Sequence, residues 1–380
     1  MITRARDRPK TSFFLLGPRG TGKSTWLRAE LPRAHVVDLL DEARYQSYLA
    51  DPSVFAAELR AVAPGSWVVV DEVQRLPSLL NEVHRAIEDR RLRFALSGSS
   101  ARKLRRGGVN LLGGRARVLT MFPFVPEELA GEFRLERALR HGTLPLVWTS
   151  DDPRATLSAY VQLYLKEEIQ AEALVRNLPG FARFLPVAGL MHGQILNVST
   201  LARDAGVSRT TVTGYVEILE DTLLAVRLPA FEGQLRVRER RHPKLYVFDP
   251  GVARALKRQL GAVGAEERGA LFEGLVLMLL RHYQERDELC DDIAYWAPAE
   301  ARTTEVDFVL SRGKEFVALE AKTTRVIRPE DLRGLRAIAE LGGLSRRVLV
   351  YLGNRRLRTQ DGIDIWPFDE LTQALADARL

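Results

Sequence analysis

The sequence predicts an α/β protein that begins with a mainly parallel sheet covered by helices on both faces. Three observations predict it. Short apolar runs at 12–16, 35–39, 67–70, 92–96 and 115–121 alternate with helical stretches. A glycine-rich phosphate-loop pattern stands between the first run and the first helix. An Asp-Glu pair closes the third run.

In order along the chain, 12–16 reads as a buried strand ending at glycine, 23–31 as a helix and 35–39 as a second strand. A polar helical stretch covers 41–63, and 67–70 is a third strand. Helix returns at 79–89. A fourth strand at 92–96, a helix at 101–111 and a fifth strand at 115–121 complete the set. Residues 126–190 carry a helical pattern with a joint at Asp151-Asp152-Pro153. Short helices and a strand pair follow at 193–235. After His242-Pro243 a new block holds a helix at 265–285 and strands near 293–297, 304–310 and 315–322. The expected division is therefore 1–125, 126–190, 191–242 and 243–380.

The run Gly17-Pro18-Arg19-Gly20-Thr21-Gly22-Lys23-Ser24-Thr25 has the spacing of a phosphate-binding loop in the strand-to-helix setting that motif requires. Glycines let backbone amides approach phosphates, and the helix N-terminus favours their charge. Lys23 would neutralise β- and γ-phosphate oxygens, and the Ser24 hydroxyl would ligate Mg²⁺. Asp71, ending a strand of the same sheet, would hold the same ion, and Glu72 would polarise the attacking water. Ser97, at the end of the fourth strand, is expected at the γ-phosphate or the water, or else as a solvated turn serine. Arg115 is a candidate arginine finger for a neighbouring subunit, or a surface arginine. ATP and Mg²⁺ are the cofactors this pattern implies.

Net charge is +7, with 46% hydrophobic and 28% charged residues, which suits a soluble chain with a polyanionic partner. No apolar run is long enough to cross a membrane, and the N-terminus lacks the apolar core of a signal peptide. With a single cysteine, Cys290, a reduced cytoplasm is the expected location. There are 48 arginines and 8 lysines, so a lysine hints at a place needing a compact charge rather than a planar fork.

Residues 198–208 read as a helix, a glycine turn and a new N-cap, and 209–221 as a second amphipathic helix with Val212, Val216 and Leu219 on one face. This pattern resembles a winged helix-turn-helix. Arg209, Thr210, Thr211 and Thr213 would then approach DNA, and the basic run Arg236, Arg238, Arg240 and Arg241 would be a wing on phosphates. The alternative is a protein-interaction lid.

In the last block Glu273 interrupts an apolar helix, Asp307 stands on one strand, and Glu320-x-Lys322 stands on the next with both side chains on one face. Such residues can hold Mg²⁺ or Mn²⁺ and activate water for phosphodiester cleavage. The bland alternative is a solvated ion pair.

Taken together, the Gly-Pro-Arg-Gly-Thr-Gly-Lys-Ser loop, Val-Val-Val-Asp-Glu-Val-Gln, Leu-Ser-Gly-Ser-Ser and Leu-Gly-Gly-Arg-Ala resemble a prokaryotic AAA+-type ATPase family. Its members carry a C-terminal domain similar to PD-(D/E)xK nucleases. The resemblance implies an AAA+ core and a homo-oligomer such as a ring. The reading is thus an ATPase that engages DNA, with a nuclease-like C-terminal module. Its rivals are a translocase with an inactive nuclease fold and an ATP-controlled switch that holds a protein partner.

Overall fold

A computed structural model describes residues 2–100, 111–164, 177–232, 242–298 and 304–380. Strands β1 (Phe13–Leu16), β2 (His35–Asp38), β3 (Trp67–Asp71), β4 (Arg93–Gly98) and β5 (Arg117–Thr120) form one sheet in the order β2-β3-β4-β1-β5. All its pairings are parallel, so the predicted class holds. The period-two alternation of a strand divides its side chains between the two faces. Phe14, Leu16, Val68 and Val70 pack with Tyr48, Phe55 and Val83 on one face, while Phe13, Leu15 and Val69 pack with Trp26 and Leu27 on the other.

The helices of this first unit are α1 (Lys23–Glu30), α2 (Glu42–Ala50), α3 (Pro52–Ala61) and α4 (Leu80–Arg90). The polar helical stretch expected over 41–63 consists of two helices. Pro52 cannot continue α2, and the Asp51 carboxylate accepts from Ser53 N at 2.9 Å to cap α3. The helix expected at 101–111 lies almost wholly outside the described residues.

Short helices follow, among them α5 (Leu135–His141). Then come α6 (Leu178–Leu190), β6 (Gln194–Ile195), α7 (Val198–Ala205), α8 (Arg209–Asp221), β7 (Ala225–Leu228) and β8 (Lys244–Val247). The last three strands form an antiparallel sheet in the order β6-β8-β7. The boundary expected after 242 is therefore misplaced. β8 belongs with β7, through the register Leu228↔Lys244 to Ala225↔Val247. His242-Pro243, after which a new block is expected, leads into a paired strand. The expected wing, with Arg236, Arg238, Arg240 and Arg241, lies outside the described residues.

The remainder comprises α9 (Pro250–Leu256), α10 (Ala265–Asp287), β9 (Asp292–Trp296), β10 (Val306–Arg312), β11 (Glu315–Ala321), β12 (Leu344–Tyr351), β13 (Leu357–Arg358), β14 (Asp364–Pro367) and α11 (Phe368–Ala376). These strands form a mixed six-stranded sheet in the order β13-β14-β12-β11-β10-β9. β10 and β11 make an antiparallel hairpin, with Gly313 at φ +59° supplying its turn. Helix α10 is apolar nearly all round because it is buried between units. Leu271, Leu275, Val276 and Leu279 share one core with Phe184, Val216, Tyr246 and Phe308.

Two seams join the units. The buried Asp249 carboxylate accepts from Thr143 N at 2.7 Å and Val252 N at 3.0 Å, tying the loop after α5 to the start of α9. The chain after β7 runs beside β9, with Tyr295 N donating to Pro229 O at 2.9 Å and Phe231 N to Tyr295 O at 2.6 Å. None of the described helices is long and apolar enough to cross a membrane.

Candidate functional site

The phosphate-loop residues lie at the C-terminal edge of the parallel sheet, between β1 and α1. Gly20 (φ +82°) and Gly22 (φ +85°) hold a left-handed backbone that a side chain would strain. Gly17 is required for space, since a Cβ there would stand 2.6 Å from Met121 O. Lys23 is buried and turned back over the loop, its Nζ donating to Gly17 O at 2.7 Å and Pro18 O at 3.2 Å. The Thr21 hydroxyl donates to Pro18 O at 2.8 Å and closes the turn. The loop is strapped from outside as well. Arg4 donates to Thr21 O at 3.1 Å while paired to Glu128 at 2.9 Å, Tyr160 OH donates to Arg19 O at 3.1 Å, and Leu146 N donates to Gly20 O at 3.2 Å.

Asp71 and Ser24 line one cavity of about 130 Å³ together with Asp38. A carboxylate and a hydroxyl facing one space are the donor types a hydrated Mg²⁺ takes. Ser97 is fully buried and its hydroxyl bonds to the Asp71 carboxylate, while Glu72 N donates weakly to it at 3.4 Å. It is therefore no solvated turn serine. Glu72 occupies the left-handed region at φ 59°, an unusual place for a non-glycine residue. Its carboxylate accepts from the amide of Gln74, which also donates to Ser99 Oγ at 3.0 Å. Sequence reasoning missed Gln74. An amide side chain two positions after the acid pair was the available signal.

On the other flank of α1 lies an open cleft of about 570 Å³ whose lining includes Ile2, Gly22, Thr25, Trp26, Phe124 and Leu146. Its apolar walls beside the loop suit a flat aromatic group. Arg115 is elsewhere. It precedes β5 at the sheet end opposite the loop and pairs with Glu88 of α4 on the exposed surface.

The second cluster forms where β8, α10, β10 and β11 meet. Asp307 and Glu320 are buried, Glu273 and Lys322 partly so. Ala321 N donates to Asp307 Oδ2 at 2.8 Å, Asp307 N to Glu320 Oε2 at 3.2 Å, and Lys322 bonds Glu320 Oε1. Two residues that the sequence did not single out complete it. Tyr246 OH donates to Glu273 Oε2 at 3.1 Å. Lys244 Nζ donates to Glu305 Oε1 at 2.5 Å and stands 3.9 Å from Glu273 Oε2 and 4.0 Å from Asp307 Oδ1. A rare lysine opening the apolar run Lys244-Leu245-Tyr246-Val247-Phe248 was the signal for it. Burial alone would lower the Lys244 ammonium, but Glu273, Asp307 and Glu305 outweigh it and raise it. Burial and the nearby Asp307 raise both Glu273 and Glu320.

A divalent ion needs several oxygens converging at about 2.0–2.6 Å. Among the described residues no group of three or more His, Cys, Asp or Glu side chains is placed to hold one. The carboxylates do not fit such an ion. Asp307 Oδ2 and Glu320 Oε2 accept from amides, Glu273 Oε2 from a phenol and Glu320 Oε1 from Lys322, and the Lys244 ammonium already stands among them, 3.9 Å from Glu273 and 4.0 Å from Asp307.

The third group, Arg209 and Thr210 at the start of α8, is exposed, with Thr213 on the same helix also exposed and Thr211 half-buried. Ser208 caps the helix by accepting from Thr211 N at 3.1 Å.

The fold and loop geometry define a P-loop-type α/β domain at the N-terminus. Residues 9–130 match the family profile described as AAA domain. Residues 132–263 and 268–371 match two families, each described as a domain of unknown function (DUF8612 and DUF4143). The chain is 27% identical over 374 residues to the uncharacterized protein Rv2008c of Mycobacterium tuberculosis, spanning 94% of this chain and 80% of that one. The same figures hold for the uncharacterized protein Mb2031c of Mycobacterium bovis. Among solved structures it is similar to Aeropyrum pernix ORC1 in complex with DNA (14% identity, TM-score 0.28, 66% of this chain and 87% of that one). It is also similar to the replication initiator DnaA bound to AMPPCP and single-stranded DNA (15%, TM-score 0.30, 58% and 90%). Likeness at those scores carries no argument about what this chain binds.

Proposed function

We propose that the chain is an ATP-hydrolysing ATPase whose nucleotide state governs a DNA-contacting C-terminal half. One observation carries this reading. The phosphate loop, Asp71 with Ser97, and Glu72 with Gln74 meet at one edge of a parallel sheet. Backbone amides around Gly17–Thr25 and Lys23 would cradle the phosphates. Ser24 and Asp71 would ligate Mg²⁺. Glu72, held by Gln74, would orient the attacking water. The cleft lined by Ile2, Trp26 and Phe124 would take the adenine.

Arg115 is too far around the sheet to serve its own site, so its role as a finger requires a neighbouring copy of the chain. That is the basis for proposing a homo-oligomer. The contacts of Tyr160 and Leu146 with the loop supply a mechanical route from nucleotide to the helical segment.

DNA contact is supported by element order. The series α6, β6, α7, α8, β7, β8 is that of a winged helix, with Arg209 and Thr210 exposed at the start of its second turn-flanking helix. The series α10, β9, β10, β11 with a following helix and β12 supports the nuclease-like reading of the C-terminal module. Of the two roles for that module, binding without cutting is favoured, because two ammonium groups of the chain, Lys244 beside Glu273 and Asp307 and Lys322 on Glu320, already stand among the carboxylates. A cytoplasmic location is consistent with a single buried cysteine.

The test is ATP turnover measured with and without duplex and single-stranded DNA, beside a cleavage assay in Mg²⁺ and Mn²⁺. DNA-stimulated turnover without cleavage is the expected result. No turnover, or turnover indifferent to DNA, refutes the corresponding half of the proposal.

A further inference from the structure

The resemblance to PD-(D/E)xK nucleases would put a divalent cation among Glu273, Asp307 and Glu320, and the donor set does not accommodate one. The reason is chemical and local. Lys244 is only 3% exposed, and its ammonium lies within 4.0 Å of Glu273, Glu305 and Asp307. The Tyr295 ring closes over it, with the centroid 5.3 Å from Nζ. A second ammonium, that of Lys322, takes Glu320. An ammonium is a compact cation with three donors. Buried among carboxylates, it supplies the compensating charge that they require.

We propose that Lys244 stands in for the divalent cation of this site, so that the C-terminal module is metal-free and does not cut phosphodiesters. Lys244 does not belong to the nuclease-like sheet. It opens β8, which is paired to β7 and β6. The site is therefore completed by the neighbouring unit. Docking that unit onto α10 and β10 is the act that inserts the cation. Tyr246, two residues on and on the same face of β8, reaches Glu273 in the same way. The assembly of Lys244, Tyr246, Glu273, Asp307, Glu320 and Lys322 works as an ionic seam between the two units rather than as a hydrolytic centre.

The experiment is a Mn²⁺ titration of the full chain without nucleotide, followed by electron paramagnetic resonance. Wild type and D307N are expected to bind Mn²⁺ equally, with no Asp307-dependent site. K244M is expected to gain one Mn²⁺ per chain, and K244M/D307N to lose it again. Mn²⁺ bound by wild type and lost in D307N would overturn the proposal. So would a folded K244M, judged by circular dichroism and gel filtration, that binds no more Mn²⁺ than wild type. Should K244M fail to fold, the comparison of wild type with D307N still decides. The readout is independent of the phosphate loop, so ATP binding and DNA-stimulated turnover stand or fall separately.

Discussion

Replacing Lys23 with alanine tests the nucleotide site most directly. The Lys23 ammonium is buried and bonded to the loop's own carbonyls at Gly17 and Pro18. Nucleotide would draw it from those carbonyls onto phosphate oxygens. Removing one member of a desolvated, hydrogen-bonded charge pair costs about 3–5 kcal/mol, and even the lower end corresponds to roughly a hundredfold in affinity. The consequence for stability follows by mass action. At ATP about one hundred times the wild-type Kd, bound nucleotide stabilises the folded chain by about 2.7 kcal/mol. For the variant the same ATP is near one Kd and contributes about 0.4 kcal/mol.

A separate effect appears without nucleotide. The carbonyls of Gly17 and Pro18 lose a donor, which costs about 1–2 kcal/mol unless water replaces it. Calorimetric titration with ATP and Mg²⁺, paired with denaturation in the presence and absence of ATP, separates the two. The expected pattern is a modest loss in the nucleotide-free variant and near abolition of the ATP-dependent gain. A variant Kd within about threefold of wild type, or an undiminished gain, would refute the site. Lys23→Arg should not rescue binding, because a planar fork does not fit where a single point charge is enclosed.

Glu72→Gln should leave ATP binding within a few-fold and lower single-turnover hydrolysis by about a hundredfold, as expected for loss of a general base. Gln74→Ala should also spare binding and slow hydrolysis by roughly tenfold, since it frees Glu72 without removing it. Asp249 offers a pH test. Its burial outweighs four backbone N–H bonds and raises its pKa from 3.8 to about 6. A raised carboxyl pKa means the folded state holds the proton more tightly. The contribution to stability is complete below about pH 4 and is lost as pH rises through 6, by about 3 kcal/mol in all. Denaturation measured from pH 3.5 to 7 should show that decline in wild type and not in Asp249→Asn; parallel curves would contradict it. Neutralising Arg236, Arg238, Arg240 and Arg241 together should weaken DNA binding and flatten its salt dependence by about 0.9 for each phosphate no longer neutralised. Unchanged slopes in a filter-binding series would remove that segment from the interface.

Local pattern made the first sheet readable. Short apolar runs that alternate with helical stretches become strands wherever helices cover both faces, and 13–16, 35–38, 67–71 and 93–98 obey that rule. The break at Asp51-Pro52 was readable too, since proline ends one helix and the preceding carboxylate caps the next. The boundary expected after 242 differs from the structure for the opposite reason. Proline reads as a break in the chain, while the partner that claims β8 lies about twenty residues upstream.

The sequence by itself determined the phosphate loop, the acid pair and the strand-helix alternation, because each depends on residues adjacent or evenly spaced along the chain. It also placed Glu273, Asp307 and Glu320 on the elements they occupy, with Lys322 directly after β11. Only the tertiary structure decided what faces them. That Gln74 holds Glu72, that Ser97 serves Asp71, that Arg115 stands at the far end of the sheet, and that Lys244 from another unit's strand sits among the carboxylates all depend on through-space neighbours. The physical reason is that a charge is defined by what compensates it. In this fold the compensating cation arrives from a strand residue 61 positions away from Glu305, at a distance no spacing rule along the chain can express.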